Sequence, residues 1–223
     1  GRIRGRALGS LVVRFGVVVA DPPWAYEGAR SIKGGHLNGK EDQTYTTTKS
    51  DNLHDIGKHL ARVTEPDSIL FCWVTGPMLA EGLELIKSWG YPFSQVAFVW
   101  EKVTGTPGAY TFTSCEFVLV GRRGRIPSPY NPSHVRQFLS EKKDRRHSKK
   151  PEEIQSRIEA MFPGHNYLEL FARREREGWV CLGNELTNND IRTDLDALAT
   201  GAAFTKPRER KGRVWKKRQI PLF

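Results

Sequence analysis

The stretch "VVVADPPWAY", Val17–Tyr26, decides the reading of this chain. A run of valines suits a strand buried on both faces. Proline has no N–H for a sheet ladder, so Pro22 and Pro23 should stop that strand. A carboxylate, Asp21, stands just before them and an indole, Trp24, just after. Taken alone, the four residues fit a well-packed strand exit as readily as a site for chemistry.

Working outward, apolar runs of strand type recur at residues 67–74 ("DSILFCWV"), 93–102 ("FSQVAFVWEK"), 115–124 ("CEFVLVGRRG"), 167–173 ("YLELFAR") and 178–186 ("GWVCLGNEL"). Residues 134–142 ("HVRQFLSEK") read as a further short strand, and 103–112 as a Gly/Pro loop. Helical spacing appears between them. Leu53, Ile56, Leu60 and Val63 share one face, with Ser50 or Asp51 as N-cap. The stretch 76–90 has Pro77 near its start and Gly90 as its stop. The helix over 151–162 opens on Pro151, Glu152 and Glu153, which suits the helix dipole. Strands alternating with helices predict an α/β fold with a mainly parallel sheet and helices on both faces. Such sheets bind ligands beyond the carboxyl ends of their strands. Both "VVVADPPW" and "YLELFAR" put polar groups there. No Gly-x-Gly-x-x-Gly or Walker lysine loop accompanies them, so phosphate cradling is not the default chemistry.

Composition narrows the partners. The chain has 223 residues and a formal charge of +10, which favours a polyanion. Residues 201–223 carry +7 of that charge, through Lys206, Arg208, Arg210, Lys211, Arg213, Lys216, Lys217 and Arg218 against Glu209. The segment 206–218 reads either as a solubilising tail or as an arm for nucleic-acid backbone, with Trp215 available to stack. Residues 27–48, rich in Gly, Lys and Thr, read as a long active-site loop. No apolar run approaches the ~20 residues of a membrane span. The basic, then apolar, beginning of the sequence runs straight into the valines and reads as strand rather than signal peptide. Cys72, Cys115 and Cys181 show neither paired nor metal-ligand spacing and read as buried free thiols in a reducing cytoplasm; no metal is expected.

Asp-Pro-Pro-Trp has a chemical use. A carboxylate only accepts hydrogen bonds, and the prolines fix a backbone carbonyl beside it. Two acceptors near an aromatic face make a receptor for a planar ring bearing an NH₂ group. Gripping the amine hydrogens turns its lone pair out of the ring and relieves the charge that develops on alkylation.

Downstream of "ADPPW" come "LFCWVTGPML" (70–79), "VWEK" (99–102), "EFVLVGRRG" (116–124), "HSKKPEE" (147–153), "LELFAR" (168–173) and "GWVCLGNEL" (178–186). In this order the chain resembles the MT-A70 family of S-adenosylmethionine-dependent N6-adenine methyltransferases, in its bacterial and phage branch, over roughly residues 15–186. The resemblance implies a Rossmann-like methyltransferase fold whose catalytic motif precedes its cofactor motif. It implies that Asp21 and the Pro22 carbonyl hold the adenine amine, that Pro23 shapes the turn and that Trp24 stacks on the base. Asp21 would also lie near the amine of the cofactor, S-adenosyl-L-methionine. Lys150 would hold the cofactor carboxylate, and Glu169, Arg173, Asn184 and Glu185 would shape its ribose and adenine site. Glu185 departs from the amide of the mRNA enzymes, and Ser114 and Cys115 depart from many bacterial relatives. Glu169 and Arg173 could equally form a structural ion pair. Tyr26, Lys33, Lys40 and Tyr45 are candidates for lid and substrate contacts.

The expectation is therefore a cytoplasmic enzyme of a bacterial or phage-infected cell that methylates adenine N6 in DNA. Its methyltransferase domain would span 1–187 and its basic tail 188–223. RNA is the rival substrate. N4-cytosine methylation presents a similar amine, but a serine is commoner there than Asp21. An inactive nucleic-acid-binding or partner subunit is the rival of another class. A homodimer or a partner methyltransferase subunit are the protein partners left open.

Overall fold

The computed structural model describes residues 13–24, 53–108, 110–126, 135–142 and 149–202. The loop 27–48 with Lys33, Lys40 and Tyr45, the adjoining Tyr26, the helix caps Ser50 and Asp51, His147 and the arm 206–218 lie outside them.

Seven strands form one mixed sheet: β1 (Phe15–Ala20), β2 (Thr64–Thr75), β3 (Phe93–Pro107), β4 (Phe112–Arg123), β5 (Phe138–Ser140), β6 (Tyr167–Leu170) and β7 (Trp179–Leu182). Their order is β5-β3-β4-β2-β1-β6-β7. The pairings β1–β2, β1–β6, β3–β5 and β6–β7 are parallel. Only β4 runs against its neighbours, because it returns from β3 as a hairpin. All six residues of β1 are buried, as expected of a central strand whose faces are both covered.

The two faces of the sheet have separate cores. Period-two alternation sends Val18 and Ala20 of β1 to one side and Val17 and Val19 to the other. On the first side lie α1 (Ile56–Val63), α2 (Leu79–Ser88) and α5 (Ile191–Thr200), through Ile56, Leu60, Leu85, Ile86, Ile191 and Leu195. On the second lies α3 (Glu152–Met161), through Ile154 and Ile158. A further helix among the described residues, α4 (Asn184–Thr187), is a single turn after β7.

Local signals explain the helix ends. A 3-10 turn, Gly76–Met78, with Pro77 inside it leads into α2. Gly90, at φ +83°, closes that helix: its N–H donates to Lys87 O at 3.0 Å and that of Tyr91 to Ile86 O at 2.9 Å. Pro151 occupies the N-cap of α3 rather than its first turn.

Two expectations need correction. The Gly/Pro stretch 103–112 is not an open loop. β3 and β4 extend through most of it as a hairpin, which its β-branched valine and threonines favour. The packed core also does not stop at residue 187, the bound expected for the domain. Helix α5 carries Ile191 and Leu195 into the first core. Asp196 ties it to α1, 2.8 Å from His59 Nδ1 and 2.5 Å from Arg62 Nη1. Buried Asp194 accepts from Thr187 Oγ1 at 2.5 Å and Asn189 Nδ2 at 2.9 Å, fixing the turn before it.

Candidate active site

The chain leaves β1 toward β2 on one side, and β6 returns to pair with β1 on the other. The crevice beyond β1 and β6 is thus the topological switch point, where open α/β sheets bind ligands. The strand ends are zipped together there: Asp21 N–H donates to Leu170 O at 3.3 Å. Alternation along β1 directs Asp21 to the side of Val17 and Val19, and along β6 it directs Glu169 to the side of Tyr167. Both carboxylates therefore face the α3 side of the sheet.

Four charges meet at Asp21. Lys150 Nζ, one residue before the cap of α3, lies 3.1 Å from Asp21 Oδ1 and 2.9 Å from Glu116 Oε2. Glu116, on β4, has its Oε1 2.8 Å from Lys102 Nζ on β3. Lys150 also sits 5.4 Å from the centroid of the Trp73 ring. Burial pushes the Asp21 carboxyl above its ordinary range, and Lys150 only partly offsets this. Burial acts in the same direction on Glu116, but Lys150 and Lys102 outweigh it and hold that carboxyl below its ordinary range. Burial opposes the charge on Lys150, yet Asp21 and Glu116 prevail and keep the ammonium protonated.

The Asp-Pro-Pro-Trp turn is tightly held. Pro22 O accepts the Trp24 N–H at 2.9 Å. A carbonyl has two lone pairs, so as far as the described residues go one acceptor site remains for a ligand. Trp24 is only 9% exposed; its ring packs in the first core and its Nε1 donates to Trp73 O at 3.2 Å. The ring that the sequence offers as a stacking face is thus largely a core ring that fastens the turn to β2.

The second group of expected residues gathers at the ends of β6 and β7. Glu169 Oε2 accepts from Gln155 Nε2 of α3 at 2.7 Å, and Cys181 Sγ lies 3.8 Å from the same oxygen. Burial lifts the Glu169 carboxyl to about 7 although Arg174 and Gln155 favour its charge. Arg173 Nε is 3.7 Å from Glu185 Oε1. The ion pair is therefore Arg173 with Glu185; Glu169 is instead held by Gln155, whose Oε1 accepts from Arg174 Nη2 at 3.1 Å. Asn184 opens α4 directly after Gly183. A Cβ at Gly183 would stand 2.2 Å from Ala172 O, so only glycine lets the β7 exit pass the β6 exit. Phe171, at φ +62°, bends the chain between Glu169 and Arg173.

Glu116 and Lys102 are site residues that the sequence reading did not single out. The signal was an acid at the head of the apolar run "EFVLV" and a lysine closing "FVWEK". A charged residue inside a buried strand needs a partner of opposite sign.

The donor set fits S-adenosylmethionine. Among the described residues Lys150 pairs with Asp21 and Glu116, so of the three N–H donors of an ammonium the third has no acid there and suits a carboxylate. Glu169 is a half-buried acceptor suited to ribose hydroxyls. No helix among the described residues is long and apolar enough to cross a membrane.

A mixed seven-stranded sheet with an acid-tipped central strand preceding an acid-bearing neighbour matches a Rossmann-like methyltransferase fold. The chain belongs to the MT-A70 family, whose model matches residues 15–185; these methyltransferases depend on S-adenosylmethionine. The type II methyltransferase M.MunI of Mycoplasma sp is 38% identical over 190 residues, 80% of this chain and 80% of that protein. The human N(6)-adenosine-methyltransferase catalytic subunit METTL3 is 31% identical over 201 residues, 85% of this chain but 31% of that protein. An N(6)-adenosine-methyltransferase MT-A70-like protein of Arabidopsis thaliana is 30% identical over 194 residues, 82% of this chain and 25% of that protein. The chain thus spans most of the first relative and a third or less of the other two.

Proposed function

We propose that this chain methylates the N6 amine of adenine in DNA. The observation that carries the chemistry is the Asp21 carboxylate at the switch point, 3.1 Å from Lys150 and next in sequence to Pro22, whose carbonyl accepts the Trp24 N–H. Asp21 and Pro22 O accept the two amine hydrogens, and Pro23 sets the angle between them. Trp24 anchors the turn; a stacking role for it would require withdrawing the ring from the core. Bound S-adenosylmethionine supplies an electrophilic methyl group. As the new C–N bond formed, the sulfonium S–CH₃ bond would break and S-adenosylhomocysteine would leave, and Asp21, made more basic by burial, would accept the proton that the amine sheds. Lys150 holds the cofactor carboxylate with its third N–H. Glu169 accepts from the ribose hydroxyls, while Arg173, Asn184 and Glu185 line the rest of that site.

DNA is preferred to RNA because the likeness to a type II methyltransferase, a class of DNA-modifying enzyme, covers 80% of both chains. RNA is the second reading, favoured by the likeness to METTL3. The target base leaves the stack on entry, since N6 is poorly accessible within a duplex. The residues 27–48 with Tyr26 and Tyr45 are proposed as lid, and 206–218 as a backbone-contacting arm. Incubation with methyl-labelled cofactor and matched DNA and RNA oligonucleotides tests this. Label recovered as N6-methyladenine in DNA is expected. Label confined to RNA, or found on cytosine, overturns the substrate assignment.

A further inference from the structure

The β3–β4 hairpin projects uncharged aromatic surface from the edge of the charge cluster. Its base is the Lys102–Glu116 pair. Between Val103 and Cys115 the sequence contains no charged residue. Tyr110 is 99% exposed and Phe112 69%. Among the described residues they are the two most exposed large apolar side chains.

Three features make the tip a built element. Glu101 pairs with Cys115, but the next paired residues are Thr106 and Thr113, so β3 carries surplus residues in a bulge just past Lys102. Within that bulge Val103 is at φ +64°, an outlier for a β-branched residue. Phe112 is folded back across Gly105: a Cβ there would come within 2.6 Å of Phe112 Cδ1. The glycine therefore seats the ring against backbone while most of it stays open to solvent.

The direction of the hairpin links it to the site. β4 has no surplus residue between Phe112 and Glu116, so Phe112, Ser114 and Glu116 share one face. Glu116 touches Lys150 on that face, and Lys150 touches Asp21. Four residues of strand span about 13 Å, enough to reach nucleotides beside a base held at Asp21. Neutral rings there suit bases, because every base offers a π-face whatever its sequence.

We propose that Tyr110 and Phe112 form a stacking platform for unpaired nucleotides flanking the target base. The inference rests on the nucleic-acid substrate proposed above and adds where its flanks lie and that they are unpaired. The rival is that the tip docks on a second protein chain.

The test compares wild type, Tyr110→Ala/Phe112→Ala and Tyr110→Phe/Phe112→Trp. Fluorescence anisotropy follows two labelled probes: a single deoxyadenosine nucleotide, which has no flanks, and a single-stranded DNA oligonucleotide of roughly 12 nucleotides, within the span of known single-strand sites. The double alanine variant should bind the longer probe roughly 5- to 150-fold more weakly per lost ring. Its affinities for the single nucleotide and for a cofactor analogue should match wild type, and the aromatic variant should restore the loss. Equal binding of the longer probe by wild type and alanine variant overturns the platform but leaves the nucleic-acid reading standing. Wild type that binds no DNA or RNA probe overturns both. Conversion of a dimer to monomer in sedimentation by the alanine variant, with probe affinity unchanged, assigns the tip to protein docking instead.

Discussion

Lys150 Nζ lies 3.1 Å from Asp21 Oδ1, and through this contact helix α3 is fastened to the end of the central strand. The same ammonium is 2.9 Å from Glu116, so one lysine balances two buried acids. Removing one member of a buried ion cluster leaves its partners uncompensated, at a cost of about 3–5 kcal/mol. Lys150→Met should lower stability by that order in urea denaturation. Lys150→Met combined with Asp21→Asn should recover part of the loss, because Asp21 then carries no unpaired charge while Glu116 keeps Lys102. Equal stability of wild type and Lys150→Met would show that the three groups do not share charge.

Glu169 gives the site a dependence on pH. Its folded pKa of about 7 lies above the ordinary 4.5, with burial as the main cause. Between those values the folded chain keeps a proton that the unfolded chain has released. Its contribution to stability is therefore complete below about 4.5 and lost as pH rises through about 7, at no more than about 1.4 kcal/mol per pH unit. Hydroxyl groups donate better to the ionised form. Calorimetry with a cofactor analogue should show binding that tightens from about pH 6 to about pH 8, with the dependence lost in Glu169→Gln. A slope that persists in Glu169→Gln would assign the titration to another group.

Helix α5 makes the extent of the packed domain testable. Leu195 is fully buried and Asp196 is held by His59 and Arg62. A chain ending at residue 202 should keep the melting behaviour of the full chain. One ending at residue 187 should lose several kcal/mol, since a single buried leucine truncated to alanine costs about 2–5 kcal/mol. Removal of 203–223 should instead weaken DNA binding and flatten its salt dependence. Equal melting of the two shortened chains would contradict the docking of α5.

The framework was legible in sequence where local chemistry points one way. The valines of β1, Gly90 at the end of α2 and the face made by Ile56, Leu60 and Val63 all appear as their spacing implies. Helix α5 was not, because Asp194 and Asp196 interrupt its apolar face, and their partners Thr187, Asn189, His59 and Arg62 are known only from the fold. Asp21 and Glu169 could be placed because acids at strand ends mark a switch point. Glu116 and Lys102 could not be joined to them, since that pairing depends on β4 running antiparallel between β3 and β2. Trp24 shows the converse limit. Sequence specifies an indole after the prolines, while packing decides that it faces the core.

The account depends most on Asp21 as the acceptor that grips the target amine. Single-turnover methyl transfer to adenine-containing DNA by wild type and Asp21→Asn, with analogue binding and folding checked in parallel, tests this directly. The asparagine variant should remain folded and transfer roughly 10²–10³-fold more slowly, the usual effect of losing one preorganised electrostatic contact in a transition state. Transfer at the wild-type rate by folded Asp21→Asn would contradict the assignment.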